Sequence, residues 1–147
     1  MGLLDFFKKK KKEETTIDTG KLAEDVLTYA DWAKNNLNTT GYNVDYTLES
    51  MKEVERFFVE QSQDGGALTN SPGSILFGIG SLIGETIIKT YGGKWVTDDN
   101  DPQGEINVSV ELPDGTVLWP VQRCMKRLQN GPEENIYDYV YVLSVRR

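Results

Sequence analysis

Histidine is absent from all 147 positions, and cysteine occurs once, at Cys124. Without an imidazole there is no Ser-His-Asp or Cys-His nucleophile, no ordinary zinc site and no two-histidine iron site, because each needs histidine as base or ligand. A single cysteine excludes a four-cysteine zinc site and an internal disulfide, which fits a reducing compartment. It also leaves Cys124 without the usual base partner of a catalytic thiol. A Gly-Lys-Ser/Thr phosphate loop is missing. No apolar run reaches the roughly 20 residues that a bilayer span needs.

What is present suits one ordinary domain. The chain is 38% hydrophobic and 27% charged, and its length is enough to close a core without metal or disulfides. Charge is unevenly spread. Residues 1–14 hold five lysines against Asp5, Glu13 and Glu14, a charge of +2, so residues 15–147 carry −9 of the total −7. An acidic surface repels nucleic acid and anionic membranes and favours a basic protein partner.

The start, "MGLLDFFKKKKKEE", sets Leu3, Leu4, Phe6 and Phe7 beside Lys8, Lys9, Lys10, Lys11 and Lys12. An apolar tip next to a polybasic run is the composition of a peripheral membrane anchor. The apolar part is too short for a signal peptide and the lysines follow it, so the plainer expectation is a flexible lysine-rich tail over 1–14. Residues 15–147 then form one domain.

Leu22, Val26, Tyr29, Ala33 and Leu37 recur at helical spacing and predict a helix over about 20–37. Tyr42, Val44 and Tyr46 alternate as a short extended piece. Thr47 reads as the N-cap of a second helix, with Tyr46 and Met51 as its hydrophobic staple. The apolar line of that helix is Leu48, Met51, Val54 and Phe58, with Glu49, Lys52, Glu53 and Arg56 outside.

The least polar stretch is "SPGSILFGIGSLIGETIIKTYGGKW". Ser71 before Pro72 reads as a helix start, Lys89 suits a last turn, and Gly92 with Gly93 supplies a stop. Ser74, Gly78, Ser81, Glu85 and Lys89 share a narrow polar strip, so the rest of the helix should be buried. Glycine inside a helix costs about 1 kcal/mol relative to alanine. Gly78, Gly80 and Gly84 therefore predict either close packing on a neighbour or a pocket. A dinucleotide fingerprint fails, because Ile83 stands where its third glycine belongs and no strand precedes.

From Lys94 the period becomes two. Strands are predicted at about 94–97, 105–112 and 116–119, with a tight turn at Pro113, Asp114 and Gly115 between the last two. Ile106, Val108, Val110 and Leu112 share one face of the second. Pro120 ends the meander and opens a helix whose stripe is Val121, Cys124, Met125 and Leu128, with Arg123, Lys126 and Arg127 on the outer side. Residues 133–145 open like a helix but are rich in β-branched and aromatic residues, and the pattern leaves helix and strand open.

In "DDNDPQGE", Asp99, Asp101, Gln103 and Gly104 copy the first positions of a calcium loop. The twelfth position is Val110 instead of a bidentate glutamate, and strands flank the loop instead of helices. No metal and no cofactor is expected. The acidic loop, with Asp98, Asp99 and Asp101, reads as a contact surface for a basic partner. Trp119 and Tyr139 beside Arg123 and Arg127 are residue types from which binding hot spots are made. A carboxylate enzyme with a pocket at Gly78, Gly80 and Glu85 is the alternative.

The segments "GSLIGETIIKTYGGKWV", "LPDGTVLWPVQRCMKRLQNG" and "IYDYVYVL" together resemble a family of small bacterial domains of unknown function. The resemblance covers roughly residues 45–143 and implies an α+β fold and bacterial origin, with no catalytic residue to carry over. Small acidic domains of this kind are similar in character to immunity proteins, which bind a basic toxin.

The expected fold is α+β: N-terminal helices packed on a three-stranded antiparallel meander, followed by one or two C-terminal helices. The expected function is noncatalytic protein binding in the cytoplasm. A peripheral membrane adaptor held by the N-terminal tail and the carboxylate enzyme are its alternatives.

Overall fold

The computed structural model describes residues 21–145, and the N-terminal tail lies outside them. Three helices come first: α1 (Leu22–Thr39), α2 (Met51–Gln61) and α3 (Gly73–Tyr91), with a 3₁₀ turn at Ala67–Thr69. Strand β1 (Lys94–Val96), a single helical turn α4 (Gly104–Asn107), β2 (Ser109–Glu111) and β3 (Val117–Leu118) follow. Helix α5 (Pro120–Asn130), a 3₁₀ turn at Pro132–Glu134 and α6 (Ile136–Val145) complete the described chain. The fold is α+β, with the three strands antiparallel in the order β1-β2-β3.

Helix α3 is the spine. From Ile75 to Gly84 every residue is buried, because α1 and α5 pack on it from different sides. Its glycines are close-approach positions. A Cβ on Gly78 would stand 2.9 Å from the Trp32 ring of α1, and one on Gly80 would stand 2.8 Å from the Val121 Cα of α5. At Gly84 the space is filled by the Trp95 indole of β1. The expected polar strip is thus only partly solvated: Gly78 and Ser81 are interior, and the Ser81 hydroxyl donates to the Phe77 carbonyl at 2.8 Å. Tyr29 meets Phe77 edge to face at 4.7 Å and Trp32 at 5.3 Å, fixing α1 against the spine.

The stripe of α1 is buried as its spacing predicts. Before α2, Thr47 Oγ1 accepts the Ser50 N–H at 3.2 Å, but i→i+3 bonds lead in through 47–50 and the α-helix itself starts at Met51. Ser71 does not cap α3. It adopts φ 50° and makes only a 3.5 Å contact with Asn70, while the Pro72 carbonyl accepts the first helical N–H, from Leu76.

The meander keeps the predicted turn: Gly115, at φ 91°, donates to Leu112, and Leu112 donates to Thr116. Its second strand is shorter than the alternation over 105–112 predicts. Residues 104–107 form a helical turn instead, in which the Gln103 carbonyl accepts the N–H groups of Ile106 and Asn107. Gly104 lies under the Leu22 side chain, where a Cβ would stand 2.5 Å from Leu22 Cδ1, so the backbone is drawn against α1 and away from the ladder. Pairing puts Trp95, Val110 and Leu118 in one row facing the helices, and Lys94, Glu111 and Val117 in the next row facing out.

Helix α5 is rotated from the expected stripe. Val121 and Cys124 are inside, but Met125 is exposed and Arg127 is buried. Residues 136–145 are helical, which settles the alternative left open by their composition. Among the described residues no helix is long and apolar enough to cross a membrane.

Candidate functional site

The acidic loop folds on its own carboxylates. Asp98 Oδ1 accepts the Asn100 N–H at 2.9 Å, and Asp101 Oδ1 accepts the Gln103 N–H at 2.8 Å. Asp99 Oδ1 accepts the backbone N–H of Leu22 at 2.8 Å, so this loop caps the start of α1. The Asn107 amide donates to Asp101 Oδ2 at 2.8 Å. That bond, then the Gln103 N–H, holds the Asp101 carboxyl below the usual carboxylate range. Asp25, Asp99, Asp101 and Glu105 line a depression of about 180 Å³.

Trp119, Arg123 and Tyr139 come together in a second depression of about 210 Å³, with Val117, Leu118, Gln122 and Lys126. Trp119 is 45% exposed, whereas Trp32 is buried and Trp95 packs into the space at Gly84. Arg123 pairs with Glu134 and lies over the Tyr139 ring at 4.4 Å. Burial pushes the Tyr139 hydroxyl up to about 12, against the pull of the Arg123 charge. Lys126 stands exposed with no ion pair among the described residues.

Two hydrogen bonds in series link the two depressions. Gln122 Nε2, on the wall of the second, donates at 3.0 Å to Asn107 Oδ1, whose amide in turn holds Asp101 in the first. Neither Asn107 nor Gln122 nor Lys126 is singled out by composition. For α5 a signal does exist: Trp119, Gln122, Arg123 and Lys126 follow the i, i+3, i+4, i+7 pattern of one helix face.

Arg127 does not belong to this surface. Its guanidinium is 3% exposed and bonds Glu55 of α2. Nor do Gly78 and Gly80 line a pocket, because Trp32 and Val121 occupy the space beside them. Glu85 accepts the Trp95 indole N–H at 2.7 Å, with the Lys89 ammonium 3.8 Å away. The carboxylate offered as an enzymatic group is thus spent on fixing β1 to the spine. Burial pushes the Cys124 thiol up, well away from a thiolate at neutral pH. No group of three or more potential metal ligands exists among the described residues.

Compared with protein-family models, with curated proteins and with solved structures, the chain matches none of them, and the resemblance to small bacterial domains rests on the quoted motifs alone.

Proposed function

We propose that this is a noncatalytic protein-binding domain of the cytoplasm, whose contact surface is centred on Trp119 and bordered by the acidic turn between β1 and β2. The observation that supports it is the different fate of the three tryptophans: two are built into the packing of α1, α3 and β1, and Trp119 is left at the rim of a depression. A large amphipathic ring with arginine and tyrosine beside it is the composition of an interface hot spot. Arg123 is already neutralised by Glu134, and Asp99, Asp101 and Glu105 line the depression to which Gln122 is linked through Asn107. The local field is negative and favours a basic partner, as an immunity protein favours a basic toxin.

Capture from the source cells with the full chain as bait tests this. One protein should be retained in low salt and released as salt rises. Trp119→Ala should weaken its binding by about 2 kcal/mol, roughly 30-fold, with the melting temperature kept. Asp98→Asn keeps the oxygen that accepts the Asn100 N–H and removes charge, so it should weaken binding mainly in low salt. Retention indifferent to Trp119→Ala and to salt would reject the proposal.

A further inference from the structure

Among the described residues the meander ends at β3, with no strand beyond it. The bond from the Leu112 N–H to the Thr116 carbonyl sets the alternation of the β2–β3 ladder. The Leu112–Thr116 and Val110–Leu118 pairs are hydrogen-bonded, and the Glu111–Val117 pair between them is not. The N–H and C=O of Val117 therefore point away from β2, and no hydrogen bond among the described residues reaches either. Trp119, still extended at φ −118° and ψ 85°, turns its N–H to the same side, while its carbonyl accepts the Arg123 N–H of α5. The edge thus offers a donor and an acceptor on one residue and a second donor two positions on.

We propose that this edge takes an extended segment of the protein partner, which adds a fourth strand antiparallel to β3. The inference rests on the proposed function and supplies its mode of binding. An unpaired strand edge is a template for a further strand, whose main chain gives affinity and whose alternate side chains give specificity.

The geometry fixes what the segment must offer. One partner residue exchanges both main-chain bonds with Val117, and the carbonyl two residues before it accepts the Trp119 N–H. The residue between them lies opposite Leu118, in the row that faces the helices. The depression lined by Leu118, Trp119, Arg123 and Tyr139 borders β3 on that side, so a strand about 4.8 Å away sends this one side chain into it. Leu118 and Tyr139 pack on the core and form an apolar floor, which selects a large apolar side chain. The opposite edge is less suited. At β1 the Trp95 main chain points outward beside Lys94, and an edge lysine opposes further pairing.

Selection of random peptides of about six residues, an ordinary strand length, on the full chain tests this. Binders should protect the Val117 and Trp119 amides from hydrogen exchange. Val117→Pro removes one donor and no bond to β2, so the domain should keep its melting temperature and bind these peptides about tenfold more weakly. Val117→Thr, which keeps the N–H, should bind them as before. From the peptide side, methylation of successive backbone nitrogens should weaken binding at the positions that face β3 and spare those between. Selection without binders, a Val117 amide left unprotected, or methylation without that alternation would overturn the proposal. So would a dimer of the chain that Val117→Pro dissociates in sedimentation, which would make a second copy the occupant. Binders lost with Trp119→Ala but indifferent to Val117→Pro would overturn strand addition and leave the Trp119 surface standing. A capture experiment that fails beside alternating methyl effects would reject the basic partner and leave the strand edge standing.

Discussion

The Arg127 guanidinium and the Glu55 carboxylate, 72 positions apart, share three hydrogen bonds inside the protein, at 3.0, 3.0 and 2.6 Å. Glu55 Oε1 also accepts the Ile136 N–H at 3.0 Å, so one carboxylate joins α2, α5 and the start of α6. Removing one member of a buried pair strands the other charge, which costs about 3–5 kcal/mol. Arg127→Met should destabilise the domain by that order in urea unfolding. Adding Glu55→Gln should recover part of the loss, because the amide still accepts from Ile136 and no charge is left buried. A double variant no more stable than the single one would show that packing, not charge, dominates.

Asp99 acts as the cap of a helix 77 residues earlier in the chain, through its bond to the Leu22 N–H. Asp99→Ala should therefore cost about 0.5–2 kcal/mol, and Asp99→Asn much less. Hydrogen exchange at residues 22–25 is the direct readout. Rapid exchange there should appear in the alanine variant and spare α2.

The spine glycines differ in what they touch. A Cβ on Gly80 would meet the Val121 backbone, at 2.8 Å from Cα and 3.0 Å from N, and neither atom can rotate away. A Cβ on Gly84 would meet the edge of the Trp95 indole, a side chain. Gly80→Ala should lower stability by about 1–3 kcal/mol despite the better helix propensity of alanine, and Val121→Ala should not rescue it. Gly84→Ala should be relieved by Trp95→Leu. Thermal melts of the four combinations decide between the two cases.

Acid should loosen the α1–α2 connection. The Arg56 guanidinium, then the Asn43 N–H, hold the Glu53 carboxyl down to about 2 from its ordinary 4.5. A depressed folded-state pKa means stability that is fully present above the unfolded value and is lost as pH falls toward the folded one. The contribution should therefore fade between about pH 4.5 and pH 2 and be absent from Glu53→Gln. Melting temperatures of the two proteins should converge across that window, and parallel curves would refute the assignment.

Much of the architecture is legible in neighbouring residues. The stripe of α1, the glycine stop after α3, the Pro113 to Gly115 turn and the proline-led α5 are local patterns, and the structure keeps each of them. The alternation over 105–112 misleads because a period of two does not exclude a turn. Gly104 and the Asp101 carboxylate bend that segment toward α1, and the contact responsible is with Leu22. Arg127 misleads for a similar reason, since a basic residue near the edge of a helical stripe reads as solvated until Glu55 is seen opposite. Trp119, Arg123 and Lys126 were within reach through their helical spacing. The site is legible in its aromatic half and illegible in the loop bonds that adjoin it.

The chain by itself determined where α1 to α3 and α5 form, that three strands make a meander, and which chemistries lack their residues, because these follow from composition and from interactions a few positions apart; the turn at 104–107 and the helix at 136–145 did not follow from it. Only the tertiary structure decided that Glu55 holds Arg127, that Asp99 caps α1 and that Glu85 serves Trp95 instead of a pocket. A carboxylate's role depends on which donor lies within about 3 Å of it, and for two of these three that donor is more than seventy positions away.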